Sequence, residues 1–557
     1  MRIPAVVGLL ALFSGTAFCQ AGGVSPAATS SASPQPSVFV LADVHASPFS
    51  NTPFFTGPLQ SGGRYVLRNA TMLDLITTAY GVDAEKVLGG PSWLEVDRFD
   101  VIAKVPAGTT VDTAKPMLQA LLADRFKLAI KTDSQPLQAF ALTIGKAGKP
   151  KLKESTDSTG STGCQFATDP ANPTPGVIAM LVATCHAMTM DALADTLHQF
   201  AAGYLTSSVV NMTGLKGTWD FNFRWHGRGA LARAGADGVS IFDAVDKQLG
   251  LKLELQKISL PAITVLSVDE KPTPNSPEVK AALPPAPPAE FEVAVIKPSA
   301  QDEQPNGAIN GGQINIQAIT LKDLITIGWQ INPNDSEQLV GAPKWLGSDK
   351  FDIVAKISSD KPVEQFPFDD LLPMLRALLI DRFQMKVHTE DRPVDAYKLV
   401  ADKPKLAKAD PANRTKCKEG PGPDGKDPRI TNPVLNRLLT CQNMTMAQFG
   451  DQLRTLAGGY IHSPVLDATG LEGAYDFTIS FSGIGLVRNG GTPGAGRGVS
   501  APEPSPSSGA APTASDPNGA LSLFDAINKQ LGLKLVKEKR PMPVLVIDHI
   551  EEKPTDN

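Results

Sequence analysis

Between Phe242 and Leu253 the chain reads FDAVDKQLGLKL, with apolar residues at Phe242, Val245 and Leu249, the spacing of one helix face. Ser240 stands three residues before Asp243, a weak form of the capping box, and Gly250 suits the left-handed residue that closes a helix. The following LKLEL alternates apolar and polar, as a half-buried strand does. Residues 524–535, FDAINKQLGLKL, repeat ten of these twelve positions, so one helix, turn and strand are predicted twice, 282 residues apart. Nothing in the phrase can act as a nucleophile or bind a metal.

The same reading along the chain predicts YVLRN as a strand, TMLDLITTAYGV as a helix, FDVIAKV as a strand and TAKPMLQALLADRF as a helix. KLAIKT and QAFALTI read as a hairpin. A cysteine-closed loop comes next, then helix MDALADTLHQFA and strands SSVVNM and TWDFNFRW. The opening helix and VLSVDE complete the series. The pattern is α+β, two small βαβ-rich subdomains with helices on one sheet face.

Every part of this series occurs twice, in the same order. TMLDLITTAYGV (71–82) matches TLKDLITIGWQI (320–331), and GGPSWLEVDRFDVIAKV (89–105) matches GAPKWLGSDKFDIVAKI (341–357). MLQALLADRFKLAI (117–130) matches MLRALLIDRFQMKV (374–387), and TGLKGTWDFNF (213–223) matches TGLEGAYDFTI (469–479). A period of about 250 residues is a whole domain, far above solenoid length. The expected map is copy one at 38–271, a Pro-rich linker at 272–289 and copy two at 290–553. Residues 486–519 form a low-complexity insertion expected to be disordered, since they have almost nothing to bury.

Bulk properties sharpen this picture in two places. The net charge of −5 gives no electrostatic case for a nucleic-acid partner. Residues 1–19 read as an export signal: Arg2, a short apolar run, then Ala17 and Cys19 at −3 and −1 of a cut before Gln20. Residues 20–37 form a flexible leader. A lipid on Cys19 is disfavoured by the bulky Phe18 beside it. The run is too short to span a bilayer, and no later stretch is long and apolar enough. The mature chain is therefore expected outside the cytoplasm, periplasmic or secreted, with no transmembrane segment. There, Cys164 with Cys185 and Cys417 with Cys441 read as two bridges. The rival metal-site reading lacks close C-x-x-C pairs and matching histidines.

These motifs resemble a family of secreted proteins of unknown function that is expanded in acidobacterial soil bacteria. The residues that carry the likeness are FEVAVIKPS, TLKDLI, GGPSWL, RFDVIAKVP, LLADRF, TGLEGAYDF, LFDAINKQLGLKL and VLVIDHIEEKP. The resemblance covers almost the whole mature chain, twice. Copy one departs at its ends, FVLADVHAS and VLSVDEKP. In some relatives a similar domain follows a BlaR-type membrane metallopeptidase, which implies a sensor or ligand-binding role. The halves also resemble ferredoxin-like units and the N-terminal domains of secretins.

Candidate chemistry is sparse. None of the five histidines that fall on matched repeat positions (His45, His186, His198, His388 and His462) is matched by a histidine in the other copy. No H-E-x-x-H or G-x-S-x-G motif occurs, and GPGPDGKD (420–427) lacks the Ser or Thr of a phosphate loop. No cofactor or metal is implied. The candidate ligand contacts are Trp93 and Trp345 in their Gly-Pro turns, Asp97 and Asp349 four residues on, and Arg125 and Arg382 at helix ends. Each has a plainer reading: an anchoring aromatic, a cap, and a local ion pair with Asp124 or Asp381. Asp220 and Asp476 read as solvated carboxylates on an open sheet face. The reading that follows is an uncharacterised, non-catalytic exported module that binds a small ligand, peptide or envelope protein. A carboxylate-dependent hydrolase and a purely structural envelope protein are the alternatives.

Overall fold

Four helices of the computed structural model open in the same way. Each begins on a threonine whose hydroxyl accepts the amide three residues on: Thr71 from Asp74 (3.1 Å), Thr189 from Ala192 (3.2 Å), Thr320 from Asp323 (3.1 Å) and Thr445 from Gln448 (3.2 Å). Two residues earlier the incoming strand carries a non-glycine residue at positive φ: Asn69 (56°), Ala187 (47°), Ala318 (52°) and Asn443 (47°). The strand register slips at each of these points, which marks a β-bulge. In every case an aspartate on the neighbouring strand accepts the bulge amide. The pairs are Asn69 to Asp100 (2.9 Å), Ala187 to Asp220 (2.9 Å), Ala318 to Asp352 (3.1 Å) and Asn443 to Asp476 (2.7 Å). Asp220 and Asp476 thus clamp backbone rather than face solvent freely, which corrects the sequence reading.

The structure describes residues 38–47, 55–61, 63–146, 148–155, 162–169, 178–283, 289–300, 303–331, 337–357, 368–422, 425–432, 434–488 and 519–555. The expected signal, the leader and most of the low-complexity insertion lie outside them.

Each copy holds three four-stranded sheets among the described residues. In copy one the first runs Leu41–Ala46, Arg98–Lys104, Arg64–Thr71, Thr56–Ser61, antiparallel throughout. The third runs Lys153–Glu154, Trp219–Trp225, Met180–Met188, Gly163–Asp169, again antiparallel throughout. Between them, strands Ala129–Ile144 and Leu251–Ser267 pair along almost their whole length, flanked by Val209–Asn211 on one strand and Val87–Gly89 on the other. Copy two repeats all three orders.

The first and third sheets also share one order, so each copy is itself built from two similar halves. Sequence comparison had found two repeats; the backbone shows four. The helix that leads into the last strand of each half is followed by a left-handed residue: Lys127, Gly250, Gln384 and Gly532. The first half of each copy runs β, β, β, α, β, β, α, β, and the second halves add short helices (Arg228–Ala234 in copy one, Pro428–Thr431 and Ile484–Arg488 in copy two), so none has the βαββαβ order of a ferredoxin-like unit.

The expected hairpin is absent. KLAIKT and QAFALTI are one strand, Ala129–Ile144, and LKLEL and VLSVDE share its partner, Leu251–Ser267, up to Ser267. Pro136 faces Ser259 and Pro261 faces Ser134, in the stretch where this ribbon has only two strands. There a proline loses no ladder hydrogen bond when its nitrogen points outward. The ribbon joins the halves: Val265 enters the first core, while Phe140, Leu142, Leu251 and Leu253 enter the second. Copy two has the same pair of cores. Phe126 and Phe383 are fully buried and meet Phe99 and Phe351 edge-on, each contributing about 2 kcal/mol by burial.

The predicted cysteine pairs are bonded. Cys164 and Cys185 face each other across antiparallel strands, as do Cys417 and Cys441. The sulfurs staple paired strands rather than close a free loop. No helix among the described residues is long and apolar enough to cross a membrane.

Candidate functional site

The two tryptophan turns are built alike. Ser92–Glu95 and Lys344–Gly347 form single 3-10 turns, and each tryptophan carbonyl accepts two later amides. Trp93 accepts from Val96 (2.8 Å) and Asp97 (3.0 Å), and Trp345 from Ser348 and Asp349 (both 3.0 Å). Gly89 and Gly341, both at positive φ, precede the turns because they touch the ribbon. A Cβ there would lie 3.0 Å from the Val265 carbonyl oxygen and 2.6 Å from that of Ile547. Both indoles are half-buried and pack on the core of their half; Trp93 also meets Phe99 edge-on.

The turns differ in what surrounds them. In copy one, the Ser92 carbonyl accepts the Thr415 amide (3.0 Å) and Glu95 faces Arg414 (3.2 Å), so copy two sits against this turn. The matching Lys344 and Gly347 of copy two are exposed. Glu95 and Arg414 went unremarked in the sequence, because their counterparts across the repeat, Gly347 and Ser161, are of different chemistry.

Asp97 lies beside Glu270. Burial, and then the hydrogen bond and charge of Glu270, push the Asp97 carboxyl above the ordinary 3.8. Asp349 instead accepts the Ser348 hydroxyl at 2.8 Å.

Arg125 and Arg382 do not pair with Asp124 and Asp381 as the plainer reading had it. The Arg125 guanidinium donates to the carbonyls of Thr273 (2.9 Å) and Ala42 (3.3 Å) and to the Asn275 side chain (2.6 Å). Arg382 donates to the carbonyls of Ala294 (2.9 Å) and Thr555 (3.0 Å). Each arginine therefore ties the chain leaving the last strand of its copy back onto the first strand. The segment expected as a linker thus begins while still fastened to copy one.

The remaining polar clusters are also architectural. Asp100 accepts the Ser47 hydroxyl (2.5 Å) and faces His45 (3.6 Å). Burial raises its pKa, but hydrogen bonds from His45, Ser47 and the Asn69 amide bring it below the ordinary carboxylate value. The bond from Asp100 raises His45 in turn, against the opposing effect of burial. Asp352 repeats the arrangement with Ser299 (2.5 Å) and Lys297 (3.6 Å) and is likewise lowered, chiefly by the Ser299 hydroxyl. Among the described residues no group of three His, Cys, Asp or Glu side chains could hold a metal ion. A shallow depression of about 300 Å³ lies at Thr189, Asp191, Asn211 and Lys216, away from both tryptophans; Asn211 already occupies Asp191 at 2.9 Å.

The repeated architecture coincides with a family match. The model of a family described as "Protein of unknown function (DUF3738)" matches residues 73–268 and again 322–550. The chain belongs to this family. It therefore carries two copies of the DUF3738 domain, and each match spans both halves of the fold. No curated protein and no solved structure matches the chain.

Proposed function

We propose that this DUF3738 protein is an exported, non-catalytic module that binds a small ligand, peptide or envelope partner outside the cytoplasm. The observation that carries this reading is how the recurring polar residues are used. Asp100, Asp352, Asp220 and Asp476 clamp bulge amides, and Arg125 and Arg382 fasten chain ends. What recurs between copies is scaffold, so a functional surface belongs to the residues around it. The two disulfides suit an oxidising compartment. The Trp345 turn is the better contact of the two, since the Trp93 turn is engaged by copy two.

A thermal-shift screen of the mature chain against cell-wall fragments, sugars and peptides tests this. At least one class is expected to raise the melting temperature, and Trp345→Ala to abolish the shift. Turnover of any such compound, or no shift with any class, would sink the reading.

A further inference from the structure

The outer face of the first sheet is treated differently in the two copies. In copy one, Asp43, Ile102 and Val66 lie side by side across three strands on the face away from the helices. Asp43 and Val66 are nonetheless only 4% and 5% exposed. What covers them is the chain's own continuation. Asn275 donates to Asp43 (2.5 Å), exchanges hydrogen bonds with the Val44 backbone (3.1 Å each way), and leads into the short helix Val279–Ala282, which packs on strand Leu41–Ala46. Val279 is buried there, and Arg68, on the same face, reaches Asp370 of copy two at 2.7 Å.

In copy two the matching row is Val295, Val354 and Asn315. Val295 and Val354 are direct cross-strand partners, yet they are 42% and 38% exposed, and Val293 on the same face is 57% exposed. Where copy one has a carboxylate bonded to its cover, copy two has a valine. Lys297 and Lys356 flank this apolar row and are held by Asp352 and Glu292.

From this we infer that the Val293–Val295–Val354 face is a docking site for a polypeptide segment of another protein, a short Pro-led helix bearing one β-branched residue. The chemistry is read from Ser276–Ala282, which seats on the same face of copy one. The residue facing Val295 is apolar, in place of the Asn275 amide that meets Asp43. The inference rests on the partner-binding reading above but uses a different surface, so the two fail separately.

The test titrates the full mature chain into a fluorescein-labelled peptide with the sequence of residues 272–283 carrying Asn275→Val, followed by anisotropy. Saturable binding is expected, weakened at least tenfold by Val295→Lys and unchanged by Val111→Lys, which alters an exposed valine elsewhere. No saturable binding, or binding that Val295→Lys leaves intact, overturns the inference. So does a dimer in light scattering that Val295→Lys dissolves, because the face would then belong to a second copy. A ligand screen that fails at Trp345 while the peptide binds removes the earlier reading of that turn and leaves this one.

Discussion

Arg414 of copy two lies with its Nε 3.2 Å from the Glu95 carboxylate of copy one and also donates to the Val87 carbonyl at 2.9 Å. Both side chains are largely buried, so the pair is shielded from salt. Arg414→Ala leaves the Glu95 charge and the Val87 carbonyl without this donor. Destabilisation of about 2 kcal/mol is expected in chemical denaturation, with the Glu95→Gln, Arg414→Ala double variant losing less than the sum of the singles.

The bulge aspartate Asp100 and its partner His45 make stability depend on pH. Asp100 has a folded pKa below 3.8, so its contribution is full at neutral pH and falls away as pH drops through that folded value. His45 has a folded pKa above 6.5, so its contribution is full below 6.5 and is lost as pH rises through the folded value. Copy two has a lysine there, Lys297, 3.6 Å from Asp352. His45→Lys is expected to remove the alkaline loss, about 0.5 kcal/mol for this part-exposed pair, in midpoints measured from pH 5 to 9.

Asp97 carries the opposite sign to Asp100. Its folded pKa lies above 3.8, so stability is lost as pH rises through that value and Asp97 ionises beside Glu270. Asp97→Asn should raise the denaturation midpoint at pH 7 and leave it nearly unchanged at pH 3. Equal effects at both pH values would remove ionisation of the part-buried Asp97 from the explanation.

Left-handed helix ends provide a matched pair of tests. Gln384 (φ 49°) is exposed where Gly532 (φ 67°) stands in the other half of the copy. Gln384→Gly is expected to stabilise by about 1 kcal/mol. Gly532→Ala should lower stability severely, because its Cβ would fall 1.7 Å from the Lys403 carbonyl oxygen. Thermal melts of the two variants should move in opposite directions.

The tandem copies were legible because FDAVDKQLGLKL and FDAINKQLGLKL preserve whole phrases. The halves within each copy were not. They share a capping threonine, a bulge and an aspartate partner, and Asn69 and Ala187 become equivalent only through their backbone angles. The helices were legible from caps and period. The ribbon was hidden by Pro136 and Pro261, which signal a turn locally but sit harmlessly where two strands stand alone. The roles of Arg125 and Arg382 were hidden for another reason: a guanidinium on a carbonyl 148 or 173 residues away leaves no local trace.

Val265 fills the first core of copy one, although most of that core comes from residues before Leu128. Strand Val87–Gly89 likewise waits for Ile263–Val265 before it has a neighbour. A nascent chain therefore cannot finish its earliest subdomain until nearly the whole copy has been made. Loop closure over such distances slows folding. Under the exported reading proposed above, that delay would favour passage through a pore, because a chain that stays open longer remains threadable.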